Sequence, residues 1–202
     1  MDEKGYIKFD CRWEKTKPFL ESDIGKLNYW RNRLYGLGLI GVYQNGIGFG
    51  NVSVRIGKSD NFFISGSATG SIQKTDGSHY AKVTAWDFAK NTLVCQGPVK
   101  ASSESLTHAA IYKVDKSVNG IIHVHSRELW EKMMDKFPTT SKKVEYGTPE
   151  MAAEMMRLMA IQKTRQVGFI VMGGHEEGVI TFGNTIDEAG QILLHYFSVA
   201  PD

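Results

Sequence analysis

A chain of 202 residues, 42% hydrophobic and 23% charged, has enough apolar material for one well-buried domain and contains nothing that demands two. A formal net charge of +2, with its Lys and Arg scattered, offers no polybasic surface for nucleic acid or an anionic membrane. Two cysteines, Cys11 and Cys95, make no disulfide framework, the charged start Met1-Asp2-Glu3-Lys4 is no secretory signal, and the longest apolar run, around 37–43, is too short and glycine-rich to span a bilayer; the expected compartment is the cytoplasm.

In chain order, Ile7, Phe9, Cys11 and Trp13 alternate with Lys8, Asp10, Arg12 and Glu14, a period of two that predicts a half-buried strand closed by Pro18. Ile24, Leu27, Trp30, Leu34 and Leu37 mark one face of a helix over 22–37, with Ser22 or Asp23 available as its cap and Gly36 and Gly38 as stops. Gly46, Gly48 and Gly50 then fall at alternate positions. That spacing lets backbone N–H groups approach a ligand, or simply forms a tight loop into a strand, and it matches no dinucleotide or Walker fingerprint. Val52, Val54 and Ile56 form a strand that turns at 58–61 and returns through Phe62, Phe63 and Ile64. Residues 66–71 are small and hydroxyl-rich, suited to an anion and equally to an ordinary turn, and a further hairpin joins 82–88 to 93–96.

Residues 101–108, with Ser102, Ser103 and a first-turn Glu104, start a helix carrying Leu106, Ala110 and Val114 on one face. Small hydroxyls there are ordinary capping groups; they are also where N–H groups and the macrodipole would hold a phosphate. Ser126 caps a helix with Leu129, Trp130, Met133 and Met134, and Thr148-Pro149 opens another with Met151, Met155, Leu158 and Met159; both stripes read as core. A buried strand at 167–172, a glycine loop at 173–178, a strand at 179–182 and a capping box from Thr185 to Glu188 lead into the last helix. Strands alternating with helices predict a sheet with helices packed on it.

The chemistry concentrates at His123-Val124-His125. Side chains alternate along a strand, so the two imidazoles share a face and can chelate one ion; two polar residues on a half-exposed strand would give the same pattern. His175, in the glycine loop, would complete a three-histidine site with an open coordination position, the catalytic rather than the structural arrangement. His108 lies four residues after Glu104 on the same helical face, as a neighbour of the site or a packed polar residue, while His79 and His195 read as surface or packing residues. A cupin would need a glutamate slightly beyond Glu128 and a later glycine–proline–histidine segment, and a carbonic-anhydrase-like hydratase would be a larger chain with other motifs.

The ordered set Gly50-Asn51-Val52-Ser53, Thr69-Gly70, Ser102-Ser103-Glu104 with His108, His123-Val124-His125, Tyr146-Gly147-Thr148 and Gly174-His175 resembles the class II aldolase/adducin family over residues 22–199. The resemblance implies an α/β fold, a three-layer α/β/α sandwich with a mostly antiparallel central sheet. One domain would then span 1–202, with 1–20 as an N-terminal extension suited to subunit contacts in a homotetramer. It also implies that His123, His125 and His175 bind a divalent metal, typically zinc (Zn2+), that Glu104 is the acid/base carboxylate, and that Asn51, Thr69, Gly70, Ser102 and Ser103 hold the phosphate of a small sugar-phosphate substrate.

The implied activity is cleavage or formation of a carbon–carbon bond in a phosphorylated hydroxy-ketone through a metal-stabilised enediolate. A sugar-phosphate dehydratase or epimerase on the same fold is the alternative within enzymes, though a glutamate at position 104 favours aldolase or dehydratase chemistry, the epimerase branch tending to use aspartate. A non-catalytic adducin-like interaction module would have no need of the histidines. Two features depart from the family pattern. Glu176 and Glu177 intervene between His175 and Gly178, where the family has glycine directly after the histidine, and the segment from His125 to Tyr146 is short.

Overall fold

The computed structural model describes residues 9–199; Ile7, where the first alternating strand is expected to begin, lies outside them. The alternating N-terminal segment forms β1 (Asp10–Lys15), and the apolar stripe after it forms α1 (Glu21–Gly36), burying Ile24, Leu27, Trp30 and Leu34. The capping of α1 differs from the expectation. Its N-cap is Leu20, without a side-chain cap hydrogen bond, and Ser22 and Asp23 fall inside the first turn, where Asp23 complements the helix dipole. Gly38, at φ +73°, turns the chain out of the helix as its sequence position predicts.

A two-stranded ribbon of β2 (Gly41–Val42) and β3 (Gly48–Phe49) leads into β4 (Asn51–Arg55). Then follow β5 (Phe62–Ser65), β6 (Tyr80–Asp87) and β7 (Thr92–Gly97), α2 (Ser105–Val114), β8 (Gly120–His125) and α3 (Arg127–Met133). The chain closes with α4 (Pro149–Met159), α5 (Gln162–Val167), β9 (Phe169–Val171), β10 (Gly178–Gly183) and α6 (Ile186–Val199). The caps at Ser126 and Thr148 form as expected, accepting from Leu129 N and Met151 N at 3.3 Å each. At α6, Thr185 Oγ1 accepts from Glu188 N, but Glu188 reaches back to Asn184 N, so the expected capping box closes one residue early.

The large sheet has eight strands in the order β1-β7-β6-β5-β4-β8-β10-β9. It is mixed, which corrects the expectation of a mostly antiparallel sheet. β1 lies parallel to β7, with Cys11 opposite Leu93 and Trp13 opposite Cys95, while the other neighbouring pairs run antiparallel. Beyond β7 the edge of the sheet is open, and the N-terminal segment fills it, with Trp13 Nε1 donating to Gly97 O at 2.9 Å.

Alternate residues of each strand feed two separate apolar clusters. Ile121, Ile180 and Phe182 join Leu106, Ala110, Met151 and Met155 of α2 and α4. Ile122, Val124 and Val179 join Leu27, Trp30 and Leu34 of α1 and Ala189 and Leu193 of α6. β8 therefore runs through the middle of the molecule with all six residues buried, because it has apolar neighbours on both faces. Polar side chains survive in such a strand only where something satisfies them, which makes its two histidines informative.

Candidate functional site

The histidines meet because of strand register. β8 is flanked by β4 and β10, with Asn51 opposite His123 on one side and Gly178 opposite His125 on the other. The turn from β9 into β10 thus delivers His175 to the end of β8. His125 Nε2 lies 3.2 Å from His123 Nε2 and 2.9 Å from His175 Nε2, and the three rings form the metal-competent cluster among the described residues. Gly178 makes room for this: a Cβ there would come within 2.6 Å of His175 Cδ2 and 3.2 Å of His123 Cε1.

The outer nitrogens fix the rings. His123 Nδ1 lies 3.1 Å from Val179 O, and since a carbonyl only accepts, Nδ1 carries the proton and Nε2 presents its lone pair. Burial holds His123 well below the usual histidine range, with His125 adding to the effect, and burial pushes His125 down to about 4. Neutral imidazole is the ligating form. A tetrahedral ion bound to nitrogen at about 2.0–2.1 Å sets its donors roughly 3.3 Å apart, so nitrogens at 2.9 and 3.2 Å fit a divalent ion with little adjustment.

Glu104 occupies the N-cap position of α2 without a side-chain cap hydrogen bond and is 3% exposed. Its Oε2 accepts from Thr107 Oγ1 at 3.0 Å, and its Oε1 lies 3.7 Å from His175 Nε2. A carboxylate therefore faces the histidine cluster from the start of a helix. His108, one turn further along α2, is fully buried, with Nδ1 2.7 Å from Ser53 Oγ, which in turn lies 2.9 Å from Tyr112 Oη. Burial, together with the charge His123 would carry, keeps His108 neutral well below the usual range, so it is a packed neighbour of the site. His79 instead completes a cap with Asp76, and His195 packs on Tyr196.

The small-residue segments converge on the same end of the sheet. Ser67 N donates to Lys100 O at 2.8 Å and Gly66 bridges Ala101, so the loop carrying Thr69 and Gly70 lies beside the approach to Ser102 and Ser103. On its other side this loop packs against the β2–β3 ribbon, where a Cβ on Gly70 would come within 2.2 Å of Gly41 O. Thr69 Oγ1 is turned inward to Gly66 O at 2.8 Å, and Ser102 Oγ accepts from Glu104 N at 3.3 Å. Asn51 is 4% exposed, and among the described residues its Oδ1 has no hydrogen-bond partner.

Sequence reasoning misses two contributors and assigns no role to a third. Arg31, 1% exposed, donates Nη2 to Thr69 O at 2.6 Å and Nη1 to Ile72 O, and thereby holds the 66–73 loop from beneath. Tyr43 places its hydroxyl 2.8 Å from His125 Nδ1 and 2.6 Å from Glu177 Oε2. Tyr146, quoted in the ordered motif set without a role, packs against His175 at a tilt of 45°, with ring centroids 4.3 Å apart. The available signals were a charged residue on the apolar face of α1 and an aromatic just ahead of the alternating glycines.

A family model, the class II aldolase and adducin N-terminal domain, matches residues 43–198. Among solved structures, YgbL from Escherichia coli, provisionally described as an aldolase/epimerase/decarboxylase, superposes with a TM-score of 0.66 at 15% identity, covering 89% of this chain and 87% of that one. An L-fuculose 1-phosphate aldolase gives 0.62 at 15% identity, with 90% and 86% covered. The L-fuculose-1-phosphate aldolase of Thermus thermophilus gives 0.55 at 18% identity, with 88% and 97% covered. At these identities the likeness is one of fold. Among the described residues, no helix is long and apolar enough to cross a membrane.

Proposed function

The chain belongs to the class II aldolase and adducin family, and from that premise we propose that it is a metal-dependent aldehyde-lyase, a class II aldolase acting on a phosphorylated hydroxy-ketone or sugar phosphate. The observation that carries this reading is the convergence of three imidazole Nε2 atoms with a buried glutamate carboxylate 3.7 Å from one of them. His123, His125 and His175 would hold the ion, most simply zinc. A divalent ion bound there supplies the Lewis-acid charge that an enediolate requires.

The rest is done by side chains and backbone. Glu104 moves the proton, from a position where burial excludes competing water. Asn51, Thr69, Gly70, Ser102 and Ser103 anchor the phosphate, with Arg31 stiffening the loop, so that binding energy remote from the reacting carbons orients them. The unpartnered amide oxygen of Asn51, opposite His123, supports a ligand contact at this rung of the sheet.

The accompanying proposals are a homotetramer, a cytoplasmic location and one three-layer domain over 1–202 in which 1–20 is an extension. The two apolar clusters on alternate strand residues support the layering. Metal analysis of purified protein supplied with zinc, followed by product analysis with phosphorylated ketoses, tests the whole. An aldolase yields two smaller fragments, whereas a dehydratase or epimerase yields one product; absence of divalent metal would return the chain to a non-catalytic, adducin-like role. Glu104→Gln is expected to keep the metal and lower turnover about 100- to 10,000-fold, the range for removing a general acid–base group.

A further inference from the structure

His125 is held differently from His123. Its Nδ1 meets the hydroxyl of Tyr43 at 2.8 Å rather than, among the described residues, a backbone carbonyl, and the same hydroxyl lies 2.6 Å from Glu177 Oε2. A carboxylate only accepts, so the tyrosine proton goes to Glu177, and the oxygen lone pair is left to accept Nδ1–H of His125. That polarity leaves His125 Nε2 as a bare lone pair, pointed at His123 and His175.

The far end of this chain is also tied down. Glu177 Oε1 lies 3.0 Å from Arg127 Nη2, which binds Glu176 Oε1 at 2.7 Å, and Glu177 O accepts from Ser126 N at 2.9 Å. Glu177 further adopts φ +67°, in the left-handed region that favours glycine. A glutamate kept in a glycine's conformation, with its carboxylate aimed back at a tyrosine beside the cluster, points to a use for that carboxylate. The exposed Arg127 pairs contribute little to stability by themselves, which makes a purely structural explanation of the arrangement weak.

We propose that Tyr43 and Glu177 are positioning residues for the metal centre, a hydroxyl–carboxylate relay that locks His125 in its Nδ1–H tautomer and so presets its Nε2 for the ion. The inference rests on the metal-site reading above and adds to it that the two residues inserted after His175 serve the ligand set. His123 gains the same setting from the Val179 carbonyl, so one ligand is fixed by backbone and the other by side chains that substitution can remove.

Two readouts on the full chain test this. Long-range nitrogen–proton NMR of the metal-free protein should show His125 as the Nδ1–H tautomer, and a mixture of tautomers in Tyr43→Phe. Zinc titrated against a competing chelator should bind about 10- to 100-fold more weakly in Tyr43→Phe and Glu177→Gly, while Glu177→Gln, which keeps an accepting oxygen, recovers most of the affinity. Chemical denaturation of the metal-free variants should show unchanged stability, with Glu177→Gly equal to or above the parent because its backbone strain is relieved. An Nε2–H tautomer in the parent, or parental zinc affinity in both Tyr43→Phe and Glu177→Gly, overturns the relay alone. A parent that takes up no zinc overturns the relay together with the metal-site reading.

Discussion

His123 and His125 ride on a strand hydrogen-bonded along both edges, whereas Thr69 and Gly70 sit in a loop held by a buried guanidinium, a close glycine contact and a few backbone bonds at 66–67. In the first region the side chains are the proposed working groups and the backbone is scaffold. In the second the proposed binding groups belong to the backbone, while a side chain such as Thr69, with Oγ1 on Gly66 O, serves the loop's own shape. A strand ladder resists displacement over its whole length, so the histidine half is expected to fail when its space is invaded, a ligand is removed or the side chains that orient a ligand are lost. The loop half depends on a few contacts and can be loosened without touching the histidines.

That contrast can be broken from either side. The largest effect is expected from Gly178→Ala. The added methyl must displace the His175 ring, which would lower zinc affinity and cut turnover on the order of 100-fold, the loss expected for misplacing reacting groups by about an ångström. Binding of a substrate phosphate, measured as inorganic phosphate competition, should stay near the parent value. Arg31→Met attacks the other half. Carbonyls of Thr69 and Ile72 lose a charged donor in a buried setting, with an expected loss of about 2–3 kcal/mol in urea denaturation and a raised KM for phosphorylated substrate, zinc content being unchanged. If Arg31→Met removed the metal, the two halves would not be independent.

The smallest change lies outside both regions, where α1 meets α6. Asp187 accepts from Trp30 Nε1 and Lys26 Nζ, both at 2.8 Å, and Lys26 first, then Trp30, holds its carboxyl below the usual carboxylate range. A carboxylate depressed in the folded state contributes stability above the unfolded value, about pH 4, and loses it as pH falls through the folded one. Because the pair is half-exposed, Asp187→Asn should cost only about 0.5 kcal/mol near neutrality and nothing in acid, with metal and substrate binding untouched.

Much of this molecule can be read from local pattern. The β-branched run at 120–125 and the period-3.6 stripes of α1 and α4 are consequences of burial on two faces or one, so β8, α1 and α4 are where the sequence puts them, whereas α5 takes up Val167, expected in a strand. His-x-His follows from the same alternation. Long-range pairing is different. The parallel placement of β1 depends on which edge of the sheet is open, information that no residue of β1 carries. Tyr43 was legible only as the start of a glycine-rich loop, because its partners, His125 and Glu177, come from segments far along the chain. The cap of α1 misled for a simpler reason: Ser22 and Asp23 are good caps by residue type, but tertiary packing begins the helix earlier, at Glu21.

The central position of β8 also sets a timetable. Its partners begin at Asn51 and Gly178, on either side in sequence, and their pairing with His123 and His125 must close long loops before any reward is gained. The cluster is therefore expected to be absent from a fragment that lacks β10 and from any intermediate in which β10 has yet to dock. Metal uptake should trail the recovery of helical signal during refolding, which makes a bound ion a reporter of the last strand arriving.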